Sequence, residues 1–383
     1  MKDETRLLIG FDAKRIVRNA TGLGNYSRTL IKNLLSWHND RFSLRLYAPD
    51  RGKDNLRKQI CEDERVRYVF PVGRMPAVGR AWWRFSGIVR ELKRDRIDIF
   101  HGLSGELPRG LKASGTKGIV TIHDLIFLRF PRYYHWWDVM IYRYKFRLAC
   151  REAHRIIAVS ERTKQDIIEY GRVAPDKIAV IYQDCDASFK QPVAQEHLQR
   201  VRAKYALPHH YILNVGSIEE RKNVLLAVKA LEGLPTDLRL VIVGRHTPYT
   251  DRVAAYIEAH GLSDRVQMLH HVSFADLPAI YQLARTFVYP SRYEGFGIPI
   301  IEAIYSGLPV VACTGSCLEE AGGPDSFYVD PDDVAGMRAA LTAAETDNDR
   351  EARIARCREY VRKFEAQKLT AALMGEYLRL AEQ

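Results

Sequence analysis

Short apolar runs alternate with longer amphipathic stretches along most of the chain. In the first half, Leu7–Phe11, Ser43–Tyr47, Ile97–His101, Gly118–Ile122 and Arg155–Val159 read as buried strands, with helical periodicity over Tyr26–Leu35, Trp82–Lys93, Trp136–Cys150 and Glu161–Tyr170. In the second half the strands are Tyr211–Val215, Arg239–Val243, Val266–Leu269, Thr286–Tyr289 and Pro309–Ala312. Asn223–Leu231, Arg252–His260, Leu277–Ala284 and Pro299–Ser306 read as helices. Strands that are apolar throughout, rather than at every second residue, are covered on both faces, as in parallel sheets. Their alternation with helices predicts an α/β chain of two doubly wound, Rossmann-like domains. The strand pattern lapses over the polar stretch Ala187–Lys204, with Pro192 and Pro208 in the same region, which puts the boundary within 187–208 and divides the domains after residue 190. Beyond the last strand, Pro331–Ala344 and Asp349–Gln383 read as helical, with Gly375 as an interior breaker.

Charge refines this picture. The 383 residues carry a net +11, an excess that suits an anionic partner: nucleic acid, a membrane surface or a phosphorylated ligand. It is unevenly placed. Residues 1–190 hold 37 Lys/Arg against 22 Asp/Glu, a net +15, and residues 191–383 are net −4. Hydrophobic residues at 46% and charged ones at 27% exclude disordered and collagenous classes. The six cysteines, at 61, 150, 185, 313, 317 and 357, lack zinc spacing and read as reduced cytosolic thiols. The charged N-terminus does not read as a signal peptide, and no apolar run reaches membrane-spanning length.

Chemistry is expected in the loops after strands. Gly22 and Gly24 precede a helix, where glycine permits close approach and free N–H groups meet an anion; a flexible turn explains them equally. His123 and Asp124 emerge from an apolar strand, as site residues or as a helix cap with a neighbouring histidine. Ser217 to Asn223 brings Arg221 and Lys222 ahead of a helix, suited to a diphosphate or to solvent. In Tyr289–Ala303, Glu294 and Glu302 are eight positions apart, around Gly295, Phe296, Gly297, Ile298 and Pro299. Each carboxylate can accept from neighbouring sugar hydroxyls. The N–H groups of Phe296, Gly297 and Ile298 face phosphates, and Glu302 is expected in the first turn of the following helix.

Glu294-Gly-Phe-Gly-Ile-Pro-Ile-Ile-Glu302 resembles the E-x7-E signature of retaining GT-B glycosyltransferases of the family-4 group. The resemblance extends to the glycine loop Thr21–Arg28, the His-Asp segment Thr121–Leu125, the interdomain segment Val180–Phe189 and the donor loop Val215–Asn223. It also covers the base-facing stretch from Val272 to Ala284 and the late segment Val329–Val334. It implies an acceptor-binding domain, 1–190, and a nucleotide-sugar-binding domain, 191–365, facing across a cleft. A last helix, about 366–383, returns to the first domain. It further implies that Arg221 and Lys222 hold the donor diphosphate, Glu294 the sugar and Glu302 the ribose, with His123 near the reacting sugar and Gly24 beside the phosphates. Mannosyl- and rhamnosyl-transferases of polysaccharide assembly show a similar overall pattern. The chain departs from the family at Val180-Ile-Tyr-Gln183-Asp-Cys-Asp186, which lacks the usual Asn-Gly. Asp184-Cys-Asp186 imitates a metal-binding D-x-D, yet its interdomain position argues for coincidence. No metal and no cofactor are therefore expected; the nucleotide-diphosphate sugar is a substrate.

The basic half interleaves aromatics with cations over Arg74–Arg96, with Trp82 and Trp83, and over Arg129–Arg147, with Trp136 and Trp137. Such stretches suit an anionic membrane interface, stacked nucleic-acid bases, or a buried aromatic face backed by solvated charge. With the resemblance they favour a lipid-linked saccharide acceptor and peripheral contact with the inner face of the plasma membrane, and no nucleic acid. The competing readings are a nucleotide-sugar epimerase without an acceptor, a phosphorylase, and a nucleic-acid-binding module.

Overall fold

The computed structural model describes residues 6–37, 42–60, 63–73 and 75–382. Residues 1–5, Cys61, Arg74 and Gln383, on which parts of the sequence reading fell, lie outside the described residues. The chain divides into two compact units, 1–183 with 366–383, and 184–365. The division follows Gln183 rather than residue 190. The segment after it is anchored to the second unit: Lys190 bonds Asp184 at 2.5 Å and lies over the Tyr305 ring, and the buried Phe189 meets Tyr281 edge-on.

The first unit is built on a seven-stranded sheet of order β3-β2-β1-β4-β5-β6-β7, parallel throughout. Its strands are β1 (Leu7–Asp12), β2 (Phe42–Tyr47), β3 (Val66–Val69), β4 (Ile99–Gly102), β5 (Lys117–Ile122), β6 (Arg155–Ala158) and β7 (Ile178–Val180). The second holds a six-stranded parallel sheet of order β10-β9-β8-β11-β12-β13. Its strands are β8 (Tyr211–Val215), β9 (Arg239–Val243), β10 (Val266–Leu269), β11 (Thr286–Tyr289), β12 (Val310–Cys313) and β13 (Phe327–Val329). Strands β3, β7 and β13, absent from the apolar pattern, are three or four residues long and lie at sheet edges. An edge strand is paired on one side and needs no continuous apolar run; β3 carries the exposed Arg67. In each sheet the strand order reverses once, between β1 and β4 and between β8 and β11. The crevice beyond the strand C-termini at such a reversal is where doubly wound folds place ligands.

Of the helix boundaries that differ from the sequence reading, two change it. The helix Gly22–Trp37 begins at Gly22, so Gly22 and Gly24 belong to its first turn instead of preceding it. A Cβ on Gly24 would stand 1.9 Å from the Asn19 carbonyl oxygen, so close backbone packing accounts for this glycine. The helical tail is interrupted. The helix Arg350–Val361 ends in a short turn, Arg362–Phe364, and Ala366–Ala381 forms a separate helix in the first unit. Its Leu373, Met374, Tyr377 and Leu380 join the core of Ile9, Phe11 and Leu44. The Tyr377 hydroxyl is 2.6 Å from Nδ1 of the buried His101, whose pKa burial lowers to about 3.

Candidate functional site

In the second unit the loops that leave β8 and β11 flank the strand-order reversal. Between β8 and the helix Val224–Leu231, the chain makes a turn, Glu220–Lys222, and passes through Asn223 in the left-handed region (φ 55°). Asparagine tolerates this conformation, and its amide donates to the Pro331 carbonyl at 2.8 Å. The turn aims both cations at the second loop. Lys222 Nζ lies 2.6 Å and Arg221 Nη1 2.9 Å from Oε1 of Glu294. The Tyr289 and Ser291 hydroxyls donate to the same oxygen. Burial raises the Glu294 carboxyl's pKa, but Lys222 and Arg221 outweigh it and bring the value down to about 2. Glu294 is therefore ionised at neutral pH.

The rest of that loop is held by its backbone. Gly297 has φ 124°, a conformation that favours glycine, and a Cβ there would press on Ala321 and Leu318 at 3.2 Å. The helix Ile298–Tyr305 starts next, with Pro299 in its first turn. The Phe296 side chain is buried against Phe364, leaving its peptide group in the loop. Glu302 lies in the second turn of this helix, not the first as expected, because the helix begins at Ile298. It accepts from the Tyr281 hydroxyl at 2.9 Å, and burial lifts its pKa to about 7. The fully buried Cys317 thiol is 2.8 Å from the Phe296 carbonyl and 3.1 Å from that of Glu294. Ser217 lies in the β8 loop and the half-buried Val272 in the loop after β10.

In the first unit His123 follows β5. Its Nε2 is 2.9 Å from the Leu103 carbonyl and must carry the proton, since a carbonyl only accepts; Nδ1 then accepts from the Gln183 amide at 2.9 Å. The Tyr26 ring meets it edge-on at 4.6 Å. Burial, aided by Arg15, lowers its pKa to about 4, so the imidazole is neutral near pH 7. Asp124 accepts from the Ile126 N–H at 3.2 Å, at the start of the short helix Ile126–Arg129.

The four tryptophans separate. Trp82, Trp136 and Trp137 are 59%, 60% and 64% exposed, whereas Trp83 is 3% exposed and donates to Glu91 at 2.7 Å. Trp83 is thus a core residue rather than a surface contact. Asp184 bonds Lys190, and Asp186 caps the turn Ala187–Lys190, so both carboxylates of the D-x-D imitation serve local structure. Among the described residues no group of three His, Cys, Asp or Glu is placed to hold a metal ion.

The sequence reading brought together Arg221, Lys222 and Glu294 and missed Tyr289, Ser291, Gln183 and Cys317. Tyr289 and Ser291 carry a signal, polar hydroxyls bordering a strand end. Cys317 carries none, since it is distant in sequence from the loop it holds.

Residues 20–188 match the model of the family described as Glycosyltransferase Family 4, and residues 199–364 that of Glycosyl transferases group 1. The chain is 30% identical over 384 aligned residues to O-antigen chain mannosyltransferase B of Escherichia coli, covering 93% of this chain and 96% of that protein. Among solved structures, a glycosyltransferase from Rickettsia africae superposes with a TM-score of 0.76 at 19% identity, covering 98% of this chain and 99% of that one. An Anabaena protein solved in complex with UDP gives 0.73 at 16%, covering 98% and 100%. At these identities the likeness shows a shared fold.

Proposed function

The chain belongs to the family-4, group 1 glycosyltransferases and has their GT-B fold, and from that premise we propose that it transfers a hexose from a nucleotide-diphosphate sugar to a saccharide acceptor with retention of configuration. The donor is GDP-mannose and the acceptor a lipid-linked glycan of cell-surface polysaccharide assembly. Support for mannose comes from the Escherichia coli relative, named as an O-antigen chain mannosyltransferase. The protein works at the cytoplasmic face of the plasma membrane, held peripherally through the first unit.

The observation that carries the reading is the half-buried cluster of Lys222, Arg221 and Glu294 beside the β8–β11 reversal. As the bond between the sugar's anomeric carbon and the phosphate oxygen breaks, positive charge grows on the sugar and negative charge on the diphosphate. Lys222 and Arg221, already oriented by Glu294, stabilise the departing diphosphate without a metal ion. Glu294 Oε1 is engaged by two cations and two hydroxyls, which suits it to hold sugar hydroxyls rather than to attack carbon. Retention then follows from front-face attack: the acceptor oxygen bonds the anomeric carbon from the side the diphosphate leaves, and a phosphate oxygen takes the acceptor's proton. Glu302 accepts from the ribose hydroxyls. The loop of Gly295, Gly297 and Ile298 presents N–H groups to the phosphates, and Val272 lies against the base. Neutral His123 stands on the acceptor side with Asp124.

Thermal-shift measurements with GDP, UDP and dTDP at equal concentration identify the nucleotide, because a ligand that binds the folded state stabilises it more the tighter it binds. Transfer is then followed with the matching sugar. Lys222→Ala and Glu294→Ala should each lower transfer by about 100-fold or more while the purified variants stay folded by circular dichroism. Near-native activity in either folded variant overturns the assignment.

A further inference from the structure

A cavity of about 520 Å³ opens beside the strand-order reversal of the first unit, lined by Asp12 from the end of β1 and by Glu106 and Leu107 after β4. None of these residues belongs to the motifs that carried the functional reading. One wall is apolar, with Ala77, Ala81, Phe85, Phe100 and Leu107. Trp82 also lines it and is 59% exposed, which puts the indole at the mouth.

The polar groups inside divide into paired and unpaired. Arg84 bonds Asp12 and Glu106, both at 2.5 Å, and Lys145 bonds Glu106 at 3.2 Å. Arg80 and Arg18 both pair with Asp50. Lys14 is the exception: its ammonium has no ion pair or hydrogen bond among the described residues. Burial, and then the charge of Arg84, lower its pKa from the ordinary lysine value. Asp12 and Glu106 act on Lys14 only at a distance, and the cavity's cations, Lys14, Arg18, Arg80, Arg84 and Lys145, outnumber those two carboxylates, so a half-buried ammonium with no direct partner is costly unless an anion fills the space. A bare saccharide is a poor occupant, because the apolar wall of Ala77, Ala81, Phe85, Phe100 and Leu107 offers its hydroxyls no partner.

We infer that this cavity binds a phosphate carried on an apolar chain, with Lys14 holding the phosphate and the wall from Ala77 to Phe85 receiving the chain. On the transferase reading, on which its role but not its chemistry rests, this is the lipid-phosphate end of the acceptor. A bilayer phospholipid offers the same chemistry.

The test uses the full chain and farnesyl diphosphate as probe, with titration calorimetry as readout and farnesol and inorganic pyrophosphate as controls. Binding of farnesyl diphosphate at least tenfold tighter than either control is expected. Lys14→Gln should weaken it about tenfold, and Ala81→Trp, which plugs the mouth from an exposed position, should do the same. Neither variant should change the thermal shift produced by the nucleotide. Displacement of the probe by phosphatidylglycerol vesicles makes the occupant a bilayer lipid, and resistance makes it an isoprenoid carrier; both support the site. No binding, or binding that both variants leave unchanged, overturns it even if nucleotide binding persists. Probe binding without any nucleotide binding overturns the transferase reading and leaves the site standing.

Discussion

Cys317 ties two carbonyls of the Glu294 loop to a helix that begins one residue later. A thiol has one hydrogen, so the two contacts share it, and their joint worth is about 1 kcal/mol, roughly a fivefold change in an equilibrium. Cys317→Ala is expected to raise the donor KM several-fold with kcat less affected, and Cys317→Ser to restore most of it, as read from initial rates over a donor series. Equal KM in all three proteins removes the role. Glu302 carries a pH dependence. Folded, it keeps its proton up to about pH 7, against 4.5 for the free carboxyl. The stability this gives the fold is present below pH 4.5 and is lost as pH rises through 7. With Glu302 at the ribose, as proposed, donor binding runs the other way, because the ionised carboxylate is the better acceptor for hydroxyls. Donor affinity should rise between pH 6 and 8, and Glu302→Gln should flatten that rise in calorimetric titrations.

The helix Trp136–Glu152 turns Trp136, Trp137, Met140, Ile141 and Tyr144 outward and Phe146 and Ala149 inward. Its outer face is apolar toward its start, and Arg147 and Arg151 continue it outward near its end. A helix of this kind suits an anionic bilayer, with rings at the headgroup level and cations at the phosphates. Trp136→Ala with Trp137→Ala should leave the melting temperature nearly unchanged and abolish flotation with anionic liposomes at low salt. Trp83→Ala, by contrast, should cost about 3–5 kcal/mol in urea unfolding, since Trp83 is buried and bonded to Glu91. The adjacent tryptophans were indistinguishable in the sequence. The chain is helical through Trp82 and passes into a π turn, Trp83–Gly87, and neighbouring residues on a helix point about 100° apart.

At the scale of the molecule, charge follows the structural division: 1–183 with 366–383 carry +16 and 184–365 carry −5. The returning helix Ala366–Ala381 adds Leu373, Met374, Tyr377 and Leu380 to the core of the first unit and brings Glu376 to Arg155 at 2.6 Å. A chain ending at Glu365 should therefore lose the cooperative melting of the first unit, while the second keeps a transition that nucleotide shifts upward. Scanning calorimetry with and without nucleotide checks this, and an unchanged first transition would contradict it.

Apolar runs alone determined the ten interior or well-formed strands and the two-part α/β organisation, because a strand covered on both faces must be apolar along its length. The order of Arg221, Lys222, Glu294 and Glu302 along the chain likewise pointed to a candidate site after β8 and β11, where the first three meet. Local sequence could not report what depends on partners far along the chain. The short edge strands β3, β7 and β13, the burial of Trp83 beside exposed Trp82, the thiol of Cys317 under the Glu294 loop and the place of Lys14 in its cavity, without a direct ion pair among the described residues, all depend on such partners. Close packing brought those groups together, and contact between residues far apart in sequence leaves no periodicity to read.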